Sequence, residues 1–416
     1  MIARMIGPRP IVAGEPNMEF FDRRAVVIAA TAGLVGALGI AWAAAENCPT
    51  QCATGKVPLG IAAPTSGPPS SFGLQTVKAA EIVVRELNAA GGLMGVPVEL
   101  VVDDDRCDPG RSVSVAARHV EQVKLNFVIG PTCPAAAMAA APVYAKGGVI
   151  QFVPTVTMIG LTQRNPDNIF RIAANDEQEA QALGTYLAHE QKGRKLAVVY
   201  TDIFYRRRVA EMVKAALSEE MKASARFEPI LDASGAYDRV ADKLKRDPPD
   251  IIYMALDSEP VVEFVGKLRQ RGIKSLLIGG QHLLSQSFWA AAGKAAEGIN
   301  VIAPIQSVTS MEFRKTVDLL RQAQVVPDLV ALNSYAAVET WAEAVRRAGG
   351  GDPKKVVAAL RSEVFKTAVG PVAFDQRGDR RDICYSLLTW QGGRLMAGAG
   401  WREQASDCQT LRDRGN

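Results

Sequence analysis

Short apolar strands that alternate with helical segments, in two successive series, constrain this chain to an α/β fold more tightly than any other feature of it. In the first series Val57 to Ala63 reads as a buried strand running into the turn-rich Pro64-Thr65-Ser66-Gly67-Pro68-Pro69. Phe72 to Ala90 follows as an amphipathic helix, with Leu74, Val77, Val84 and Leu87 at helical spacing, and Gly91-Gly92 closes it. Strand Val98 to Val102 leads into Asp103-Asp104-Asp105. A helix of about Ser112 to Lys124, strand Phe127 to Gly130, helix Ala135 to Tyr144 and strand Val149 to Val153 complete the series. Apolar strands separated by helices imply a parallel sheet covered on both faces. Right-handed crossovers then put every loop that follows a strand on one edge, the edge where open α/β sheets take ligands. The loops at Thr65, Asp104, Thr132 and Thr155 are therefore expected to meet.

The pattern restarts with a helix of about Glu177 to Gln191 and strand Leu196 to Tyr200. A basic-faced helix from Arg206 to about Met221 follows. Strands are expected near Phe227 to Leu231, Ile251 to Leu256 and Leu276 to Ile278, with helices Tyr237 to Lys245 and Pro260 to Arg271 between them. Helices near Glu312 to Gln324, Asp328 to Ala348 and Pro353 to Arg361 come next. Strand-like Val372 to Phe374 and Ile383 to Trp390 flank the turn Asp375-Gln376-Arg377-Gly378. At 416 residues the chain is too long for one ordinary core and suits two lobes.

The N-terminal segment reads as an address label. Arg23 and Arg24 precede the uncharged stretch Ala25 to Trp42 and then Ala43-Ala44-Ala45, the order of a secretory signal cleaved after residue 45. An uncleaved anchor is the alternative. Asp22-Arg23-Arg24 also resembles a twin-arginine signal, leaving the export route open. All six cysteines lie beyond this segment, and an even count in an exported chain points to disulfides. Cys48, Cys52, Cys384 and Cys408 can pair in three ways. Lys and Arg are scattered among Asp and Glu, with a formal net charge of only +4, so nothing forms the basic face that nucleic acid requires.

Signs of an enzyme are few. There are three histidines, His119, His189 and His282, and the first two fall inside expected helices. No G-x-S-x-G elbow, H-E-x-x-H helix or G-x-x-x-x-G-K-[ST] loop is present. Asp103-Asp104-Asp105 reads as a strand-end cluster that caps the next helix and holds a loop, in preference to a metal site. No catalytic residue, metal or cofactor is expected.

Several segments, in this order and spacing, resemble the type I periplasmic binding proteins of the branched-chain amino acid class, the substrate-binding subunits of ABC transporters. They are Ser66-Gly67-Pro68 after the opening strand and Ala79-Ala80-Glu81 through Asn88-Ala89-Ala90-Gly91-Gly92. Asp104-Asp105-Arg106-Cys107-Asp108-Pro109 and Val128-Ile129-Gly130-Pro131-Thr132-Cys133 follow, then Asn333-Ser334-Tyr335-Ala336-Ala337 and Gly370-Pro371-Val372-Ala373-Phe374-Asp375-Gln376-Arg377-Gly378-Asp379. The resemblance spans most of Lys56 to Arg394. It implies two Rossmann-like lobes with parallel sheets, joined by three crossings and closing over a ligand by hinge motion. Lobe 1 would be about 56–173 with 304–366, lobe 2 about 174–303 with 367–394, and 395–416 a tail. It also implies a Cys107–Cys133 disulfide, a periplasmic monomer, and an inner-membrane permease as partner. A ligand-sensing receptor of the same fold is the alternative, and an exported hydrolase a third reading.

The resemblance also implies ligand contacts. Phe72 would lie against the ligand's side chain, or else act as a hydrophobic staple for its helix. Beside Cys133, where the family has a carboxylate-binding serine, stands Pro134, with neither hydroxyl nor N–H. Thr155 and Thr157 offer hydroxyl and backbone groups, with a helix cap as the alternative for Thr157. Tyr205 aligns with the tyrosine that closes over the ligand. The following Arg206-Arg207-Arg208 oppose the dipole at a helix start, so one of them is expected to grip an anionic group. Asp257 replaces an aromatic contact, and Gln281 stands where amino-acid binders carry an acid for the α-ammonium. A buried ammonium without a carboxylate costs several kcal/mol. Gln281 thus points away from a standard amino acid, toward a different small carboxylate, unless Asp257 supplies the charge.

Overall fold

The computed structural model describes residues 55–402 apart from 165–166, 232–233, 305–310 and 382. The expected signal segment and Cys48, Cys52 and Cys408 lie outside the described residues. Among those described, no helix is long and apolar enough to cross a membrane.

The first sheet is wholly parallel, in the order β2-β1-β3-β4-β5. Its strands are β1 (Val57–Ala63), β2 (Val98–Asp104), β3 (Phe127–Ile129), β4 (Ile150–Val153) and β5 (Ile169–Arg171). Successive side chains of β1 serve opposite faces. Leu59, Ile61 and Ala63 join one core with α1 (Ser70–Ala89), while Ala62 packs with Val115, Ala116 and Tyr144 on the other side. Those last three residues come from α2 (Pro109–Arg118) and α3 (Pro134–Lys146). α2 is capped by Asp108, whose carboxylate accepts the Arg111 N–H at 2.7 Å; the cap expected from the preceding aspartates is displaced to this residue. A short helix, α4 (Gly160–Arg164), precedes β5.

The second sheet has seven strands, in the order β14-β13-β10-β9-β8-β6-β7. β6 (Leu196–Thr201), β7 (Arg226–Ile230), β8 (Ile251–Ala255), β9 (Leu276–Gly279) and β10 (Asn300–Pro304) run parallel. β13 (Tyr385–Gln391) and β14 (Arg394–Arg402) form an antiparallel hairpin along one edge, so this sheet is mixed. The hairpin turns on Gly392-Gly393, both at positive φ, the geometry a two-residue turn demands. Residues 395–402, read from the sequence as the start of a tail, are thus a strand.

The helices of the second series are α5 (Asp176–Glu190), α6 (Phe204–Ala216), α7 (Glu219–Ser224), α8 (Ala236–Arg246), α9 (Ser258–Gln270) and α10 (Gln286–Ala292). The single helix expected from Arg206 to Met221 is split. Leu217 is extended, and the Ser218 side chain accepts the Met221 N–H to start α7. Two cores cover the faces of this sheet, one built on Ala197, Val199, Ile252 and Met254, the other on Leu196, Val198, Ile251 and Tyr253.

After β10 the chain returns to the first core. Leu320 of α11 (Met311–Gln322), Trp341 of α12 (Leu329–Arg347) and Val356 of α13 (Pro353–Ser362) are buried there. So are Phe365 of β11 (Phe365–Thr367), Val372 of β12 (Gly370–Val372) and Phe374. Two passages between the sheets run side by side. Arg171 N–H donates to the Gly378 carbonyl at 2.8 Å, and Arg380 N–H to the Arg171 carbonyl at 3.2 Å. The Arg171 guanidinium, fully buried, donates to Asp379 at 2.7 Å, to the carbonyls of Val156 and Met158 at 2.8 Å each, and to the Thr162 hydroxyl at 2.8 Å.

Candidate functional site

The loops that follow the strands of the first sheet meet, as the parallel order requires. Thr65 N–H and the Ser66 hydroxyl donate to the Asp104 carboxylate at 2.9 and 2.5 Å. Burial raises the Asp104 pKa, but these bonds and those from Arg106 outweigh it and hold the carboxyl down at about 2. Asp103 meets Arg118 and, at 2.8 Å, the buried His119, whose other ring nitrogen meets Tyr144 at 2.9 Å. Asp105 accepts the Cys107 N–H at 2.9 Å. The three aspartates thus hold loops and strand ends, and no cluster fit to hold a metal occurs among the described residues. A Cys107–Cys133 disulfide, with Cα atoms 5.4 Å apart, joins the second loop to the third. Cys384 is disulfide-bonded as well.

On this edge Phe72 lies in the first turn of α1, half-buried and outside the apolar cores, a position that does not fit a staple. Cys133 is the N-cap of α3 and Pro134 its exposed first residue, so the loop offers neither hydroxyl nor N–H there. The Thr155 hydroxyl donates to the Thr132 carbonyl at 2.7 Å, tying the third loop to the fourth. Thr157 reaches further. Its hydroxyl lies 3.1 Å from that of Tyr205, at the start of α6 on the second sheet.

Tyr205 donates to the Asp176 carboxylate at 2.9 Å, which leaves Thr157 the donor to the phenolic oxygen. Burial raises the Asp176 pKa; the hydrogen bond from Tyr205 and the charges of Arg206 and Arg171 oppose it. Behind Tyr205 the Arg206 guanidinium stacks 5.0 Å from its ring centroid and holds Asp257 through Nε, at 3.1 Å, and Nη2. Its Nη1 makes no hydrogen bond within the described residues. Arg207 pairs with Asp202 and Arg208 with Glu211, both half-exposed, so each arginine at this helix start has a carboxylate in its own half of the molecule. Asp257 is therefore committed to Arg206.

Gln281, 8 % exposed, donates its backbone N–H to Glu179 at 2.9 Å and its side-chain amide to the Ala174 carbonyl at 3.3 Å. Glu179 also accepts the Tyr253 hydroxyl at 3.2 Å, and burial pushes it up to about 7. Next to Gln281 in the chain, burial and then the Arg206 charge press His282 down to about 3, a neutral imidazole with Nε2 unbonded.

Two rims thus face each other. Thr157 stands on one; Tyr205, Arg206, Asp257 and Gln281 stand on the other with Asp176, Glu179 and His282. Reading the sequence missed Asp176 and Glu179, because acids in the first turn of a helix are ordinary partners of its dipole. Asn175 and Gln178 there form a capping box, which strengthens the bland reading. The one available signal was their spacing of three, which puts both on one face.

Comparison with known proteins agrees with this architecture. A family model described as periplasmic binding protein matches residues 56–394. A Leu/Ile/Val-binding protein homolog of Brucella melitensis is 29% identical over 337 residues, 80% of this chain and 90% of that one. The leucine-, isoleucine-, valine-, threonine- and alanine-binding protein of Pseudomonas aeruginosa is 26% identical over 335 residues, again 80% and 90%. Among solved structures, a branched-chain amino acid transporter substrate-binding protein from Streptococcus pneumoniae, in complex with isoleucine, superposes with a TM-score of 0.72 at 22% identity, over 84% of this chain and all of that one. A solute-binding protein of an ABC transporter from R. palustris, in complex with benzoate, gives 0.70 at 20% identity, over 83% and 96%. This chain belongs to the periplasmic binding protein family, and is a binding protein, not an enzyme.

Proposed function

We infer that the protein is the extracytoplasmic substrate-binding subunit of an ABC importer, holding a small amino acid or other small carboxylate between two hinged lobes. The observation that carries this is the hydrogen-bonded line Thr157–Tyr205–Asp176, which runs from a loop of the first sheet to the helices of the second. A ligand entering there meets groups from both sides, and only a ligand that contacts both favours the closed arrangement. The names of the relatives and the isoleucine and benzoate in the neighbours support both ligand classes. Phe72, Cys133, Pro134 and Thr155 line the first rim in this reading, and Arg206 Nη1 takes the ligand's carboxylate. Lobe 1 comprises 56–173 and 311–374, since Phe374 belongs to the first core and not to lobe 2 as expected from the sequence, and lobe 2 comprises 174–304, where β10 ends, and 385–402. Residues 1–45 direct export to the periplasm, where the protein works as a monomer with a permease in the inner membrane.

A thermal-shift screen of amino acids, aromatic acids and dicarboxylates tests the reading. A ligand at about a hundred times its Kd adds about 2.7 kcal/mol of stability, enough to raise the melting temperature by a few degrees. At least one member of the panel is expected to do so. If none does, the reading fails.

A further inference from the structure

Two carboxylates of the second rim have no cation of their own. Asp176 and Glu179, one turn apart on α5, are both buried and make no ion pair among the described residues. The guanidiniums near them are engaged elsewhere, Arg206 with Asp257 and Arg171 with Asp379. Asp176 and Glu179 thus feel the charge of Arg206, and Asp176 that of Arg171 too, but neither acid is bonded to a guanidinium. A buried charge without a partner is costly, and a carboxylate so placed either takes up a proton or waits for a cation. Both acids touch residues of the cleft: Asp176 accepts from Tyr205, and Glu179 from the backbone of Gln281. The chain also leaves room for this approach. A Cβ at Gly280 would come within 2.2 Å of the Glu179 carboxylate.

We propose that Glu179, with Asp176 beside it, sets the charge selectivity of the cleft, favouring ligands that bring an ammonium to this rim along with a carboxylate. The inference rests on the importer reading and deepens it. Glu179 is a positioning residue, acting through the Gln281 backbone and through its charge. Position 281 itself is neutral, and Asp257 is occupied, so the negative charge comes from α5. On this inference an α-amino acid is accommodated despite Gln281, because the acid is supplied by another element.

The test uses ligand pairs that differ only in the α-ammonium, leucine with 4-methylpentanoate and phenylalanine with 3-phenylpropanoate, titrated calorimetrically into the mature protein. The wild type is expected to bind the amine-bearing member at least about tenfold more tightly at about pH 8. Glu179→Gln is expected to abolish most of that preference, and the double variant Glu179→Gln/Gln281→Glu to restore it by returning the charge to the neighbouring position. The wild type alone gives a second readout that does not depend on a variant folding. Ionised Glu179 attracts the ammonium and protonated Glu179 does not, so the preference is expected to fall as the pH drops from about 8 to about 6. The other charged or titratable groups acting on Glu179 are Asp176 on its own helix, Tyr253 on β8 and Arg206 on α6, and His282 follows Gln281 in the chain. Asp176 acts in the same direction, and His282 is neutral throughout this range. A preference unchanged by Glu179→Gln, a flat pH profile, or tighter binding of the deaminated member overturns the inference and leaves the importer reading intact. Binding of neither member of any pair, and of nothing else in the thermal screen, removes both.

Discussion

Asp379→Ala is expected to lower the stability of the fold by about 3–5 kcal/mol, because it strands a fully buried guanidinium. Arg171 is 0 % exposed and Asp379 5 %. With Asp379 gone, Arg171 keeps two carbonyls and the Thr162 hydroxyl but no opposing charge. The same carboxylate accepts the Thr162 hydroxyl at 3.1 Å, so one substitution breaks a network and not a single bond. The pair also clamps together the two chain passages at residues 171 and 378–380. The midpoint of urea unfolding reads the effect. A shift no larger than that of an exposed pair such as Arg208–Glu211, where alanine costs about 0–1 kcal/mol, would contradict this role.

Arg206→Ala is expected to weaken ligand binding by about a hundredfold or more, whereas Arg207→Ala and Arg208→Ala change it by no more than about threefold. All three follow Tyr205 in sequence, and Arg206 is the one expected from the sequence to contact the ligand. Their surroundings differ. Arg206 is 7 % exposed, stacked on Tyr205 and oriented by Asp257, and its Nη1 makes no hydrogen bond among the described residues. Arg207 and Arg208 are half-exposed, and solvent screens their pairs with Asp202 and Glu211. Isothermal titration with whichever ligand the thermal screen yields measures the three variants. Equal losses for all three would point to a diffuse field; no loss at Arg206 would remove it from the site.

Much of this was legible in the residues. The strand-loop-helix rhythm from Val57 onward fixes a parallel sheet, and the sheet order makes the loops at Thr65, Asp104, Thr132 and Thr155 meet. The elements that escaped reading share a cause: their residues do not announce the state that packing imposes. β5 is three residues long and carries Arg171 into the interior; β10 runs from an asparagine to a proline; β14 follows two glycines. Each is a strand because a neighbouring strand completes its hydrogen bonds. The site divides in the same way. Tyr205, Arg206, Asp257 and Gln281 stand where a strand ends or a helix begins, which sequence order reveals. That Asp257 faces Arg206, and Glu179 faces Gln281, depends on packing between elements 51 and 102 residues apart, which no local pattern encodes.

Small-angle X-ray scattering of the mature protein, with and without a ligand that raises its melting temperature, tests the closing cleft most directly. Two lobes that swing together around the passages at Arg171 and Asp379 must contract, so the radius of gyration is expected to fall on saturation and to recover when the ligand is dialysed away. An identical scattering curve with a ligand that calorimetry shows to be bound would mean that no clamp operates.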